Sequence, residues 1–356
     1  MILIKSKMNK TQIIYFLVSC IFLLGCKKDE IGPQFVDYSN FTKATNQVVI
    51  INEGGFNNSN ASISVYNKAA KTSTDNVFKN ANNAPLGDVA QSITNYGGYY
   101  YIVVDNSSKI EIVDTANFKS VATITGFTSP RYMEVVNATK AYVTDLYSNS
   151  IQVVNLIDNT IIKSIATSAR TEQLLLLNNT MYVTEYTGKL LVINTITDKI
   201  DTTLNLSYGV KNIALDANNN LWVLADGSYT GNVNQTNAVL YKINPLTNAI
   251  LQQLKFENLN DSPSQLTMSE TSNSLYYLNN GVYTMTIADT VLPSSPIITS
   301  NNRVLYGLGI DPENGDIFVS DAGDYVQKGQ VYIYSKTGTA KHNFTVGIIP
   351  NGFMFN

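Results

Sequence analysis

An internal repeat with a period of about 40 residues is the feature that most constrains the fold of this chain. The segment Tyr101–Ile124 reads YIVVDNSSKIEIVDTANFKSVATI, and Ala141–Ile165 repeats its pattern as AYVTDLYSNSIQVVNLIDNTIIKSI. Each copy contains short apolar strands separated by polar turns. An acidic residue closes the second strand at Asp105, Asp145 and Glu185, which lie 40 positions apart. Four short strands repeated at this spacing are typical of β-propellers.

Seven copies of the repeat can be aligned on the residue that closes the second strand. The other four of these residues are Glu53, Ala225, Asn279 and Asp321. Helical repeats would need apolar residues three and four positions apart, and no convincing run of that kind follows the N-terminal region. A β-sandwich would not explain the regular spacing. The sequence therefore predicts an all-β, seven-bladed β-propeller with four-stranded blades over residues 47–356.

The first copy lacks the strand that opens each of the other six. The chain ends with a matching segment, PNGFMFN, at Pro350–Asn356. A C-terminal strand that completes the first blade would close the ring and remove two exposed strand edges. We therefore expect Pro350–Asn356 to supply the missing strand.

The N-terminal region is typical of a secretory signal. Three lysines precede an apolar run at Ile13–Leu24. Twelve residues make about 18 Å of helix, which is too short to cross a hydrocarbon core of about 30 Å. A basic flank followed by a short apolar segment predicts a signal peptide at residues 1–25.

The segment LLGC at Leu23–Cys26 resembles the lipobox of bacterial lipoproteins. That resemblance implies that Cys26 carries the lipid anchor and begins the mature chain. Lys27–Glu30 reads KKDE and resembles the export tag that directs some Gram-negative lipoproteins to the outer face of the outer membrane. Residues 26–46 would then be a lipidated tether, and an exported protein held in the outer membrane is expected.

Composition limits the kinds of chemistry that the chain can support. The chain has 24 basic and 27 acidic residues, and loss of three lysines with the signal leaves 21 basic residues and a net charge of −6. This mild acidity argues against a nucleic-acid partner. Cys26 is the one cysteine that would remain, and His342 is the single histidine. Without a zinc spacing or a nucleophile motif, we expect neither a metal nor a catalytic cofactor, and no enzyme activity.

The repeat text resembles the YVTN family of seven-bladed propellers over residues 48–356. Three stretches are also similar to the surface cobalamin-binding propeller lipoproteins: Asn52–Asn67, Asn83–Ile93 and Ser129–Asn155. That second resemblance implies a protein that captures a corrinoid such as cobalamin, as ligand rather than cofactor. It further implies transfer to a TonB-dependent outer-membrane transporter, with the propeller monomeric apart from that complex. Related lipoproteins whose ligand is unknown share the same repeat text.

Ligands of propellers usually bind at the channel mouth, among the loops that join the second and third strands and those that lead into each first strand. Both sets of loops are rich in Asn, Gln, Tyr, Ser and Gly, which provide stacking surfaces and neutral hydrogen-bonding groups. A corrinoid, with apolar ring faces rimmed by amides, suits such loops, and a glycan would suit them as well. The predicted ligand-binding residues are Asn57, Asn60, Gln91, Asn106, Arg131, Tyr132, Tyr147, Asn149, Tyr186, Asn212, Tyr229, Gln265, Asn280, Tyr306, Tyr325 and Asn351.

Several of these residues have a structural alternative. Arg131 could bind a ligand or form an ion pair with a neighbouring blade. Equivalent loops carry four tyrosines that form either a stacking rim or ordinary loop packing: Tyr147, Tyr186, Tyr229 and Tyr325. The repeated carboxylates Asp105, Asp145, Glu185 and Asp321 are interpreted as hydrogen-bonding groups that build the blades, and Trp222 as a core residue.

Three functional hypotheses follow from the sequence. The first is a surface corrinoid-binding accessory of a transporter. The second is a propeller that binds a glycan or a protein without corrinoid specificity. The third, an enzyme of the lyase or quinoprotein kind, is disfavoured because the fold segment has a single histidine.

Overall fold

A computed structural model of the protein describes residues 46–269 and 273–356. These residues form seven four-stranded antiparallel sheets, which confirms the predicted propeller. The predicted signal peptide at residues 1–25, the lipidated Cys26 and the tether as far as residue 45 lie outside the described residues. Within the part of the chain that the structure describes, no helix has the length and apolar character needed to span a bilayer.

The strands follow one another around the ring in chain order. Blades 1 to 3 contain β1 (Gln47–Asn52), β2 (Ser62–Asn67), β3 (Thr72–Thr74), β4 (Ala90–Tyr96), β5 (Tyr99–Val104), β6 (Lys109–Asp114), β7 (Ser120–Thr125), β8 (Pro130–Asn137), β9 (Lys140–Asp145), β10 (Ser150–Asn155) and β11 (Thr160–Ala166). Blades 4 and 5 contain β12 (Thr171–Leu177), β13 (Thr180–Glu185), β14 (Lys189–Asn194), β15 (Lys199–Asn205), β16 (Val210–Leu215), β17 (Leu221–Ala225), β18 (Val239–Ile243) and β19 (Ile250–Lys255). Blades 6 and 7 contain β20 (Ser264–Met268), β21 (Ser274–Leu278), β22 (Gly281–Thr286), β23 (Ile298–Thr299), β24 (Leu305–Ile310), β25 (Ile317–Asp321), β26 (Lys328–Tyr334) and β27 (Ala340–Ile348). A short helix, α1 (Val77–Asn82), links blade 1 to blade 2.

The C-terminal strand closes the ring as predicted. β28 (Pro350–Phe355) is the innermost strand of blade 1 and pairs antiparallel with β1, from Val48 opposite Phe355 to Asn52 opposite Pro350. Its aromatic side chains reach the neighbouring blade, since the ring centroid of Phe318 lies 5.9 Å from that of Phe353 and 5.2 Å from that of Phe355. The closure therefore combines backbone pairing within blade 1 with aromatic packing on blade 7.

The second strand of each blade is the most completely buried. Every residue of β5 is buried, because blades on both sides cover its two faces. The outermost strand β15 is largely exposed, and it contains lysine, aspartate and threonine. Trp222 in β17 is fully buried, as expected of a core residue, and its Nε1 donates to Asp216 Oδ2 over 3.0 Å. The core is thus a set of apolar layers between blades.

Candidate ligand site at the channel mouth

The innermost strand of every blade carries a β-bulge close to its first residue. In β8, Arg131 and Tyr132 together oppose the single residue Thr144 of the neighbouring strand, and in β16 Lys211 is the extra residue. The bulged residues of the other five inner strands are Gln91 in β4, Glu172 and Gln173 in β12, Gln265 and Leu266 in β20, Tyr306 and Gly307 in β24, and Asn351 in β28. A bulge bends the strand and re-aims its side chains. The bulges therefore place a polar side chain from each blade at the same level of the channel.

These side chains surround a cavity of about 410 Å³ at the channel mouth. Its wall contains eight bulged residues, which are Gln91, Arg131, Tyr132, Glu172, Lys211, Gln265, Tyr306 and Asn351. Six further residues complete the wall, which are Glu53, Leu146, Arg170, Asn212, Ser264 and Leu305. The volume falls in the range of small-molecule sites, but the wall is more polar than usual. The cavity suits a ligand or a part of a ligand that is rich in hydrogen-bonding groups.

Neutral amides are hydrogen bonded across the mouth. Gln265 Nε2 donates to Asn351 Oδ1 over 3.2 Å, although blade 7 lies between their two blades in the ring. Asn351 Nδ2 donates to the backbone carbonyl oxygen of Gln91 over 3.1 Å. The side-chain Nε2 of Gln91 in turn donates to the Tyr132 hydroxyl over 3.2 Å. This network links blades 6, 1, 2 and 3. It holds the amide groups in fixed orientations toward the cavity.

Arg131 forms ion pairs with neighbouring blades, which was the structural alternative to ligand binding in the sequence analysis. Its Nε lies 3.0 Å from Glu172 Oε2 and its Nη1 lies 2.8 Å from Asp105 Oδ2, so it bridges blades 2, 3 and 4. It also donates to Gln91 Oε1. Burial opposes the charge of Arg131, but Glu172 and Asp105 more than offset this effect and raise the pKa of the guanidinium. Arg131 borders the cavity with most of its donors already engaged.

Glu53 is a cavity residue that the sequence did not single out as a ligand-binding residue. Burial raises the pKa of its carboxyl to about 7, although a hydrogen bond from the Tyr306 hydroxyl and the charge of Arg131 partly offset this effect. The hydroxyl lies 3.1 Å from Glu53 Oε2. Burial also raises the pKa of a second carboxyl group, that of Glu134 in the inner strand β8, to about 7. The mouth therefore contains a carboxyl group that changes charge near neutral pH.

The other repeated carboxylates build the blades, as interpreted from their register. Asp145 accepts hydrogen bonds from the backbone N–H groups of Thr128 and Ser129, both over 3.0 Å. Glu185 and Asp321 bind the equivalent N–H groups of their own loops in the same way. In blade 5, Asp226, one position after the aligned Ala225, instead accepts a hydrogen bond from the backbone N–H of Ser228 in the loop after the second strand. These carboxylates are engaged in fixing the loops at this end of the blades.

Tyr186 is buried behind the cavity wall rather than exposed on its rim. Only 6% of the residue is exposed. The guanidinium carbon of Arg170 lies 3.5 Å from the centre of its ring, and Lys211 Nζ lies 5.1 Å from that centre. Tyr208 packs edge-on at 5.1 Å between ring centroids. The tyrosine is therefore a support for two cavity cations.

Four exposed aromatic residues surround the cavity on the loops that join second and third strands. Tyr147, Tyr229 and Tyr325 were predicted there, and they are 74%, 67% and 45% exposed. Phe56, which is 66% exposed, occupies the equivalent loop of blade 1 and was missed. Tyr325 contacts a residue of the cavity wall, with its ring centroid 5.9 Å from that of Tyr306. We call these four residues the aromatic rim; they lie on the odd-numbered blades.

Seven of the sixteen predicted residues line the cavity. They are Gln91, Arg131, Tyr132, Asn212, Gln265, Tyr306 and Asn351. Five asparagines lie outside it. Asn106 Nδ2 donates to Asn57 Oδ1 over 3.0 Å and Asn60 Oδ1 accepts from the Gly55 N–H over 2.8 Å, while Asn149 and Asn280 are exposed on their loops. The cavity thus draws on the residues at the start of the inner strands more than on the loop tips.

A larger groove of about 700 Å³ lies at the periphery, between blades 5 and 6. Part of its wall is the connection that precedes the two-residue strand β23, since residues 290–294 line the groove. Phe256, Tyr277 and Tyr283 line the groove together with Asn258 and Asn279. Residues of two blades form this groove, whereas all seven blades converge on the mouth. The convergence and the shifted pKa of Glu53 make the mouth the main candidate site.

Among residues 46–269 and 273–356, no three His, Cys, Asp or Glu side chains are grouped so that they could hold a metal ion. The single histidine, His342, lies in the outer strand β27 with its ring centroid 5.9 Å from that of Tyr66. This histidine is therefore remote from the mouth.

These features define a seven-bladed β-propeller with a ligand-sized polar cavity at its channel mouth. The chain belongs to the family described as Domain of unknown function (DUF5074), whose match covers residues 46–356. A comparison with curated proteins gives no significant match.

Solved structures with the same fold cover most of the chain. A quinonprotein alcohol dehydrogenase-like protein from Bacteroides thetaiotaomicron is 15% identical, with a TM-score of 0.66 over 86% of this chain and 77% of that one. A protein from Lactobacillus plantarum is 13% identical, with a TM-score of 0.66 over 87% of this chain and 99% of that one. The propeller domain of Cps50 (Swd1) from Myceliophteria thermophila is 11% identical, with a TM-score of 0.59 over 83% and 99% of the two chains. At such identities the likeness concerns the fold alone.

Proposed function

We propose that this protein binds a corrinoid at the mouth of its propeller channel. The observation that supports this most directly is the arrangement of the mouth, where hydrogen-bonded amides line a recess and the exposed aromatic rim surrounds it. A corrinoid has apolar ring faces and a periphery of amide groups. Aromatic side chains would contact the ring faces, while Gln265, Asn351 and Asn212 would exchange hydrogen bonds with the periphery.

The size of the recess sets the orientation of such a ligand. A corrinoid is larger than a cavity of about 410 Å³, so the ring would lie across the opening and a side group would enter the recess. Tyr147 and Tyr229, which are exposed on the loops above the cavity, would contact the part of the ligand that remains outside. This arrangement would bind the ligand without enclosing it, which suits a protein that must release its ligand to a partner.

Location and partner extend the proposal. The lipobox-like segment ending at Cys26 and the following KKDE favour a lipid-anchored protein on the outer face of the outer membrane. The resemblance to cobalamin-binding lipoproteins favours delivery of the corrinoid to a TonB-dependent transporter. The role is one of ligand binding rather than catalysis.

Isothermal titration calorimetry tests the proposal. All seven blades lie within residues 46–356, so a soluble form lacking residues 1–26 can be titrated with cyanocobalamin. The proposal predicts saturable heat with one site per chain. Absence of heat, together with an unchanged visible spectrum of cyanocobalamin, would remove the corrinoid assignment.

A glycan ligand is the second candidate, because the peripheral groove combines aromatic and amide side chains. The rings of Tyr277 and Tyr283 are stacked 5.4 Å apart, and Asn279 Nδ2 donates to Asp261 Oδ1 over 3.0 Å on the same wall. Sugar rings bind to surfaces of this kind through stacking and amide hydrogen bonds. Polysaccharide binding that Tyr283→Ala weakens, in a protein that does not bind cyanocobalamin, would favour this alternative.

A further inference from the structure

We propose that Arg170 and Lys211 form an anion-binding subsite in the mouth cavity, which receives a phosphate group of the ligand. The inference rests on the proposed ligand site at the mouth and adds a chemical requirement to it. A neutral, amide-rich ligand would have no need of an additional cation in this recess.

Arg170 is held in the cavity wall with N–H groups that remain available as hydrogen-bond donors. Its guanidinium stacks on the Tyr186 ring, and Tyr208 in turn supports that ring edge-on. Its Nε is buried and has no hydrogen-bond partner among the described residues. An arginine carries five N–H donors in a rigid plane. Stacking therefore fixes the orientation of the group while leaving its edge for a ligand.

The other two cavity cations already have carboxylate partners. Arg131 pairs with Asp105 and Glu172, and Lys211 Nζ lies 2.5 Å from Asp226 Oδ2. Within the described ranges, no carboxylate lies within ion-pair distance of Arg170, and its charge is balanced only by the face of Tyr186. The remaining charged group of the wall is Glu53, which is bound to Tyr306. The structure thus leaves one cation in the recess without a counter-ion.

The geometry favours an oxyanion as that counter-ion. A guanidinium edge matches two phosphate or carboxylate oxygens in a bidentate arrangement, and a charge-assisted hydrogen bond is stronger than a neutral one. Lys211 Nζ is 5.1 Å from the centre of the same Tyr186 ring and adds a second positive charge to the cavity wall. Phosphate could come from the free ion or from a phosphodiester within a larger ligand. Cyanocobalamin carries such a phosphodiester in its nucleotide loop, and cobinamide lacks it.

A matched pair of variants separates this charge from other effects. Arg170→Gln removes the guanidinium. Arg303→Gln is the control, because Arg303 also stacks on a tyrosine, with its guanidinium carbon 4.5 Å from the Tyr332 ring centre, but it lies outside the cavity wall. Thermal unfolding of both variants establishes that they are folded before binding is compared.

The experiment has two readouts. Inorganic phosphate binding is followed by ³¹P line broadening, and the affinities for cyanocobalamin and dicyanocobinamide are measured by calorimetry. We expect saturable phosphate binding by the wild type and a preference for cyanocobalamin of roughly tenfold or more, as for loss of a charged hydrogen bond. Arg170→Gln is expected to abolish both, while Arg303→Gln keeps both.

The outcomes distinguish the subsite from the proposed function. If Arg170→Gln changes neither phosphate binding nor the corrinoid preference, the subsite is wrong, whereas corrinoid binding by the wild type would still support the proposed function. If neither corrinoid binds, the phosphate readout decides alone. If the wild type binds phosphate and Arg170→Gln does not, the subsite is supported for a different ligand. If the wild type does not bind phosphate, the subsite is overturned.

Discussion

The Tyr306 hydroxyl donates a hydrogen bond to Glu53 Oε2 over 3.1 Å, and this contact joins blade 7 to blade 1 beside the strand that closes the ring. The carboxyl group is partly exposed to the cavity, yet burial is the main cause that raises its pKa to about 7. The ordinary value is 4.5, so the folded protein holds this proton more tightly than the unfolded chain does. Ring closure and the charge state of the mouth are therefore coupled.

The first prediction concerns the pH dependence of stability. A folded-state pKa above the unfolded value stabilises the protein below about pH 4.5, and this contribution is lost as the pH rises through 7. Glu53→Gln keeps a hydrogen-bonding group but cannot ionise. We expect the variant to lose less stability between pH 5 and pH 8 than the wild type, by on the order of 1–3 kcal/mol in urea denaturation.

Glu257→Gln, on an exposed residue, is the control for loss of a carboxylate. Its pH profile should follow that of the wild type. Equal slopes for Glu53→Gln and the wild type would show that Glu53 ionises alike in the folded and unfolded states.

The second prediction concerns the close approach of the inner strands of blades 7 and 1. A Cβ at Gly307 would lie 2.3 Å from the carbonyl oxygen of Asn351, whereas a Cβ at Gly352 would meet only the Ile51 Cδ1 at 3.2 Å. The first contact involves backbone and the second the flexible end of a side chain. We expect Gly307→Ala to lower the free energy of unfolding by roughly 2 kcal/mol or more, and Gly352→Ala to cost clearly less.

Urea denaturation of the two glycine variants checks this comparison. Equal losses would mean that blades 7 and 1 separate easily at the closure. Both variants have the same loss of backbone freedom in the unfolded chain, so the difference between them reports the contact itself.

The third prediction concerns the aromatic rim. Tyr147 and Tyr229 are exposed and contribute little to the core, so Tyr147→Ala and Tyr229→Ala should change stability by less than about 0.5 kcal/mol. Loss of an aromatic contact of about 0.5–1.5 kcal/mol predicts cyanocobalamin affinities lower by roughly 2- to 12-fold. Ile196→Ala is the matched control, because Ile196 is 73% exposed in a turn on the opposite face. Calorimetry that finds equal affinities in all three variants would remove the rim from the site.

The fourth prediction concerns the terminal strand. Deletion of residues 350–356 removes β28, exposes the edge of β1 and uncovers Phe318. We expect a fall in the midpoint of thermal unfolding of several degrees or more and a greater tendency to aggregate. Light scattering during the melt records the aggregation. A deletion variant with the melting behaviour of the full ring would mean that β28 adds little to closure.

The architecture could be predicted because the repeat carries it. The regular spacing of Asp105, Asp145 and Glu185 defines a blade, and the missing first strand at Glu53 pointed to its counterpart at Pro350–Asn356. The alternation of apolar and polar residues and the residues typical of turns are local signals, so they can be recognised in a single sequence. Such signals also predicted which loops share one face of the ring.

The details of the site could not be predicted, because they depend on contacts between blades. A bulge at Gln265 or Arg131 arises from a mismatch of register, which has no local sequence signal. Tyr186 occupies a loop equivalent to that of Tyr147, but the guanidinium of Arg170 covers it and leaves it buried. The raised pKa of Glu53 likewise reflects its surroundings. Phe56 could have been predicted from the repeat alignment, because its loop aligns with those of the three rim tyrosines.

The most direct test of the proposed site is a crystal structure, grown with cyanocobalamin, of the form lacking residues 1–26. We predict a corrin ring lying across the mouth beneath the aromatic rim, with polar groups of the ligand within hydrogen-bonding distance of Gln265 and Asn351. We also predict the ligand phosphate beside Arg170. A corrinoid bound instead in the groove lined by Tyr277 and Tyr283, with the mouth unchanged, would contradict the proposed site.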